Sequence, residues 1–355
     1  MGKLRVKLNN MSKKKKIIIC IVTLLILISL TVGAIFLFKK DEPVKEKPVK
    51  VKEKQKEVKK LKIVDVDSTS RPFAVMINNI STARPLQSGL QDAYIVYEII
   101  VEGGITRLMA LFMDQNTERI GSIRSARHYY LDYALENDAI YVHHGQSPQA
   151  QRDFSALGVD RIVADNGNTG WRDRSLHIAS EHTLFTSIEK LKNGIGNKRT
   201  TRNKDLLLNY SVDEIDLSTY ENAQVANNVS IQYSTTTRPS YEYDADKKVY
   251  KRSMNGVAST DYVTKEQYTF KNIITYQVSN YTLNDGENKG RQDINNVGSG
   301  SGYYITDGYA IPIKWEKTSR SAQTKYTLEN GEELKVNDGN TFIQIQPTGQ
   351  ALNIS

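Results

Sequence analysis

Glu98, Glu102, Arg107, Arg124 and Arg127 carry the plainest chemistry in this sequence. Glu98 to Arg107 reads Glu-Ile-Ile-Val-Glu-Gly-Gly-Ile-Thr-Arg, a hairpin pattern whose turn is Gly103-Gly104. With a two-residue turn, Arg107 stands opposite Ile100 and on the face that carries Glu98 and Glu102. Both carboxylates are then diagonal neighbours at about 7–8 Å, within reach of a long side chain. Such a face suits an anion clamp in which Arg107 holds the ligand and a carboxylate acts as base or metal ligand. A charge cluster on a wet sheet face is the competing account. Further on, Arg124 and Arg127 lie three apart at the start of an expected helix, so their guanidinium groups are neighbours. Free N–H groups at a helix start add to that field, and the combination suits phosphate or carboxylate.

All five histidines, His128, His143, His144, His177 and His182, fall in one short stretch. His143 and His144 end an expected strand ahead of Gly145 and a capped helix, where α/β proteins commonly hold ligands. They join Glu98, Glu102, Arg107, Arg124 and Arg127 as ligand-binding candidates. The histidine spacing matches no compact metal motif and no cysteine follows Cys20, so no metal site is expected. No Walker A or Rossmann fingerprint appears, and no cofactor is expected. The catalytic residue, if the protein has one, is undetermined; Asp92 and Glu98 are the candidates for a base.

The elements that must position these residues follow an alternation of apolar runs and amphipathic stretches from Arg71 to about Lys204. Strands are expected at 73–77, 93–101, 105–113 and 139–143. Helices are expected at 125–136, from Ser147, and at 183–192. Ser147 supplies a cap, and Pro148 fits the first helical turn. Residues 206–228 are polar and patternless. Beyond them Tyr, Val, Ile and Thr alternate between Asn-Gly and Asp-Gly pairs at 255, 285, 307, 330 and 338, which predicts a mostly-β domain.

The charge is divided unevenly. Of 355 residues, the first 62 hold 18 basic and five acidic side chains, leaving 30 basic against 35 acidic in the rest. The folded part therefore lacks the basic excess that displaces phosphate counterions, and nucleic-acid binding is excluded. From Ile17 to Phe38 run 22 uncharged residues, about 33 Å as a helix. Basic residues without acids precede them, which predicts a single anchor with its N-terminus in the cytoplasm. The run ends in Phe-Leu-Phe-Lys-Lys rather than in small residues, unlike a cleaved signal peptide. The charged stretch that follows, with Pro43 and Pro48, reads as a solvated stalk.

The motifs RPFAVMINN, ARPLQSGL, DAYIVYE, VEGGITRLMALF, IGSIRSARHYY and AIYVHHGQSP, followed by GYAIPIKWEK and FIQIQP, resemble the YerB-like family of bacterial envelope proteins over about residues 68 to 348. The resemblance implies a membrane-anchored or lipid-modified protein with an N-terminal domain of unknown function and a smaller C-terminal one. The lipid-attachment cysteine is missing here, which favours a transmembrane anchor. A weaker similarity, to the LytR-CpsA-Psr phosphotransferases, rests on DAYIV, IGSIRSARHYY and AIYVHHGQSP. The aspartate that family places after its arginine is His128 here if Arg127 is aligned.

The expected organisation is a cytoplasmic basic tail at 1–16, a transmembrane helix at 17–38 and a charged stalk at 39–67. An extracytoplasmic α/β (α+β) domain at 68–205, a linker at 206–228 and a smaller mostly-β domain at 229–355 follow. The expected function is to bind an anionic ligand, a lipid-linked phosphate or wall glycopolymer, at the outer face of the cell membrane. The alternative is a non-catalytic module that docks a protein partner there.

Overall fold

The computed structural model describes residues 12–37 and 60–355. Most of the basic tail and of the stalk thus lie outside the described residues. The chain forms two units, Met1–Glu57 and Val58–Ser355.

In the first unit, α1 (Lys13–Leu37) opens with four lysines. Among the described residues no helix is long and apolar enough to cross a membrane. The expectation of a transmembrane helix at 17–38 is corrected accordingly.

The second unit is mixed α/β, with mostly strands and few helices. Its centre is β1 (Phe73–Asn78), β2 (Ile95–Ile100) and β3 (Thr106–Phe112), buried at every position. Such runs of β-branched and apolar residues mark strands covered on both faces. β4 (Ile140–His143) lies parallel to β1, and β5 (Arg161–Val163) parallel to β4. Two short helices, α2 (His128–Glu136) and α3 (Pro148–Ala156), flank β4 in sequence. Ser147 Oγ caps α3 by accepting from Ala150 N at 3.2 Å.

The C-terminal half contributes β6 (Asn228–Ile231), β7 (Pro239–Asp244) and β8 (Val249–Met254), the middle of a separate six-stranded sheet. It also contributes β9 (Asn272–Val278), β10 (Gly298–Thr306), β11 (Tyr309–Lys317) and β12 (Thr341–Pro347) to the main sheet. That sheet has 11 strands, and β12 lies between β2 and β9, parallel to both. The two halves of the chain therefore share one sheet. The stretch 206–228 adds a strand, Gln224–Val225, to its β11 edge.

Three layers result. On one face, Tyr97 packs on Tyr133 of α2 with ring centroids 5.1 Å apart and donates to Glu136 Oε1 at 2.7 Å. On the other, Phe342 of β12 meets Tyr241 of β7 and Phe270 edge-on at 5.8 and 4.7 Å.

The hairpin after β2 differs from the expected one. Glu102–Gly104 form a single 3-10 turn closed by Val101 N donating to Ile105 O at 2.8 Å. The loop is one residue longer than Gly103-Gly104 alone, so Arg107 pairs with Ile99 and Glu98 with Leu108. A slip of one residue exchanges the faces of a strand. Arg107 thereby lies on the α2 side and Glu98 on the side of the six-stranded sheet.

Candidate functional site

Strands β1, β4 and β5 run parallel and end together, and the chain leaving those ends builds the site, the usual ligand edge of an α/β sheet. β3 starts at the same edge, where Arg107 pairs with Asn78, the last residue of β1. The segment Ser122–Arg127 is drawn between the two strand ends instead of continuing α2. Asn78 N donates to Ser122 O at 2.8 Å and Arg124 N to Met76 O at 3.0 Å. On the β4 side, His144 N donates to Arg124 O at 3.1 Å and Ala126 N to Gly145 O at 2.9 Å. This lacing sets Arg124 and Arg127 beside Arg107 and explains why α2 begins at His128 rather than Ser125.

Glu102 gathers two of the arginines. Arg127 Nε donates to Glu102 Oε1 at 2.5 Å, and Arg107 Nη2 stands 3.7 Å from Glu102 Oε2. Both guanidinium groups are buried, with residue exposures of 8% and 7%. Arg107 Nη1 donates to Ser125 O at 2.6 Å and Arg127 Nη1 to Ala126 O at 2.7 Å. Burial, and next the like charge of Arg127, lower the Arg107 pKa to about 10, with Arg124 acting in the same direction. Burial pushes Glu102 up, but the Arg127 hydrogen bond and the two positive charges outweigh it and hold the carboxyl below its usual range. Arg124, half-buried, donates to Glu181 at its backbone oxygen, 3.2 Å, and at Oε1, 3.1 Å. Three guanidinium groups thus face two carboxylates, and the edge keeps a positive excess.

His143 and His144 each bind an arginine rather than offering a free nitrogen. His143 Nδ1 lies 2.8 Å from Gly145 O and His144 Nδ1 2.7 Å from Ala164 O, so each Nδ1 carries the proton. The Nε2 atoms then accept from Arg161 Nη1 at 3.2 Å and Arg172 Nη2 at 3.0 Å. Burial lowers the His143 pKa to about 4 from 6.5, with the Arg161 charge adding to the effect. Between those values only the unfolded chain takes up the proton, so acid favours unfolding. The stability that His143 contributes should fall by on the order of 3 kcal/mol as the pH drops from 6.5 to 4. Asp132, which burial raises to about 6, works in the opposite direction but is common to the protein and its His143→Asn variant. In urea unfolding the difference between the two should shrink across that window; a constant difference would show that His143 titrates normally.

The two candidate bases lie away from this edge. Glu98 is fully buried on the other face, accepting from Asn79, Thr106, Arg252 and Gln344. Asp92 is exposed and accepts from Thr117 Oγ1 at 2.7 Å. It borders a separate cavity of about 620 Å³ together with Gly89, Arg119, Asp261, Glu266 and Tyr268. The structure adds residues that the sequence reading did not place at the site. Asn78 Nδ2 donates to His182 Nδ1 at 3.0 Å, and Glu181, Arg161 and Arg172 complete the ring of polar partners. Asn78 could have been found as the polar end of an apolar strand. Arg161 and Arg172 stand in no pattern that ties them to the histidines.

Residues 61–202 match the family described as "Protein of unknown function (DUF3048) N-terminal domain", and residues 229–343 match its C-terminal domain. A Bacillus subtilis (strain 168) protein described as "Putative lipoprotein YerB" is 32% identical over 291 residues, 80% of this chain and 84% of that protein. The crystal structure of YerB from Bacillus subtilis aligns with a TM-score of 0.68 at 30% identity, covering 80% of this chain and 94% of that one.

Proposed function

The chain belongs to the DUF3048 family, and we propose that it works at the cell envelope, outside the cytoplasm, by binding an anionic ligand at the edge built by β1, β3 and β4. The ligand is a phosphate-bearing molecule or wall glycopolymer. The relative named as a putative lipoprotein supports the setting. The observation that carries the ligand class is the convergence of two buried arginines, Arg107 and Arg127, on one carboxylate, with Arg124 close enough to lower the Arg107 pKa. Buried guanidinium groups in excess over their carboxylates favour an incoming anion, because charge-assisted hydrogen bonds are strongest where water is excluded. Asp92 and Glu98 are both away from the arginines, so the reading is one of binding.

The test is calorimetric titration and thermal unfolding of the full-length protein against inorganic pyrophosphate, sugar phosphates, polyprenyl pyrophosphate and wall fragments. A bound ligand at about 100 times its Kd should stabilise by roughly 2.7 kcal/mol. Arg124→Ala, which removes a half-buried side chain, should weaken binding about tenfold, and Arg107→Ala with Arg127→Ala on the order of 100-fold. Affinity that survives loss of all three arginines in a folded protein would refute the reading. Absence of binding across the panel would favour docking of a protein partner.

A further inference from the structure

We propose that Glu102 is a tethered occupant of the arginine site, displaced when the ligand's phosphate arrives; this rests on the anion-binding reading of Arg107 and Arg127. The carboxylate bridges the two guanidinium groups, one oxygen toward each, in the arrangement that a phosphate would adopt with two of its oxygens. No other carboxylate forms an ion pair with Arg107 or Arg127 among the described residues.

The loop that carries Glu102 is suited to release it. Gly103 and Gly104 have φ of +65° and +72°, left-handed conformations that glycine adopts without strain. A Cβ built on Gly103 would meet nothing within 4 Å, so the loop tip has open space. Gly104 is fixed instead: Ser234 Oγ donates to its carbonyl at 2.7 Å. Motion of Glu102 is thus concentrated at Gly103, while Ser234, from the C-terminal half, anchors the far end.

The tether also selects the ligand. A carboxylate on the same chain competes at an effective concentration in the millimolar range or above. A free carboxylate of equal charge gains nothing by replacing it. A phosphate group brings up to two negative charges and a third acceptor oxygen, and the Arg124 charge nearby adds to its advantage. The site therefore discriminates for phosphate groups over carboxylates. A lipid-linked pyrophosphate and a soluble one share this chemistry.

The test titrates the full-length protein and its Glu102→Gln variant with inorganic pyrophosphate and with neutral lipid vesicles containing polyprenyl pyrophosphate. Removing the competitor should tighten pyrophosphate binding at least tenfold. Glu102→Asp, which keeps the charge but withdraws it by one methylene, should give a smaller gain and serves as the readout if Glu102→Gln fails to fold. Gains in both arms assign the shared phosphate chemistry, and a gain with vesicles alone assigns a lipid-linked source. Pyrophosphate binding that is present but equal in the protein and both variants overturns the tethered occupant while leaving the arginine site intact. Binding absent from all of them overturns the arginine site and the tethered occupant together.

Discussion

Replacing Arg252 by methionine is expected to destabilise the protein by about 3–5 kcal/mol, because it leaves the Glu98 carboxylate charged and unpaired inside the fold. Glu98 is 0% and Arg252 1% exposed, with Nη2 and Oε2 3.1 Å apart. Burial lowers the Arg252 pKa, and the charge and hydrogen bond of Glu98 together with those of Tyr241 more than restore it. The remaining partners of Glu98, at Asn79, Thr106 and Gln344, are neutral donors and cannot replace a guanidinium charge. The paired change Glu98→Met with Arg252→Met should recover much of the loss, since it removes two desolvation costs along with one attraction. Urea unfolding at constant slope would measure both. A loss under 1 kcal/mol for the single variant would show that the pair does not hold this interface. Pyrophosphate binding by the folded double variant should be unchanged, which would separate Glu98 from the ligand chemistry.

Glu98 also shows where the sequence stops being informative. Its side chain is assigned to a face by register, register is set by loop length, and Glu102-Gly103-Gly104 is compatible with a turn of two residues or three. The longer turn makes one carboxylate, Glu102, a partner of the arginines and the other a buried strut. The strands themselves were legible, because an apolar run such as Phe73–Asn78 is read directly from its residues. So was the cap at Ser147, where the hydroxyl and the following proline act locally. The start of α2 was not. Ser125–Arg127 read as its first turn, but Met76 and Asn78 in β1, more than 40 residues away in sequence, and His144 and Gly145 after β4 hold Ser122–Arg127 in an extended path through backbone hydrogen bonds. The position of β12 was invisible for the same reason: FIQIQP announces a strand and says nothing about its neighbours. The apolar run after Lys16 was read from hydropathy alone, and among the described residues no helix is both long and apolar enough to cross a membrane.

A chain ending at Ala226 should fail to fold, even though it retains every arginine of the site. The truncation removes β12 and leaves one edge of β2 unpaired along Ile95–Ile99. An exposed, apolar strand edge of this kind is a template for aggregation. It also strips the face of the sheet that Tyr233, Tyr241 and Phe342 cover, and takes Arg252 from Glu98. On the opposite side, Glu136 loses Lys317 Nζ at 2.9 Å and Thr324 Oγ1 at 2.6 Å, two of the groups that hold its buried carboxylate. Two uncompensated buried charges, each costing several kcal/mol, approach the 5–15 kcal/mol that a whole protein has available. The expected outcome is aggregated material on size exclusion, with no cooperative thermal transition and no pyrophosphate binding. A soluble fragment that melts cooperatively would show instead that the N-terminal half folds alone, in which case β12 completes the sheet without being needed for it. Failure to fold would tie the site to both halves. The arginines would then depend on a sheet that the C-terminal half closes, just as the loop carrying Glu102 depends on Ser234.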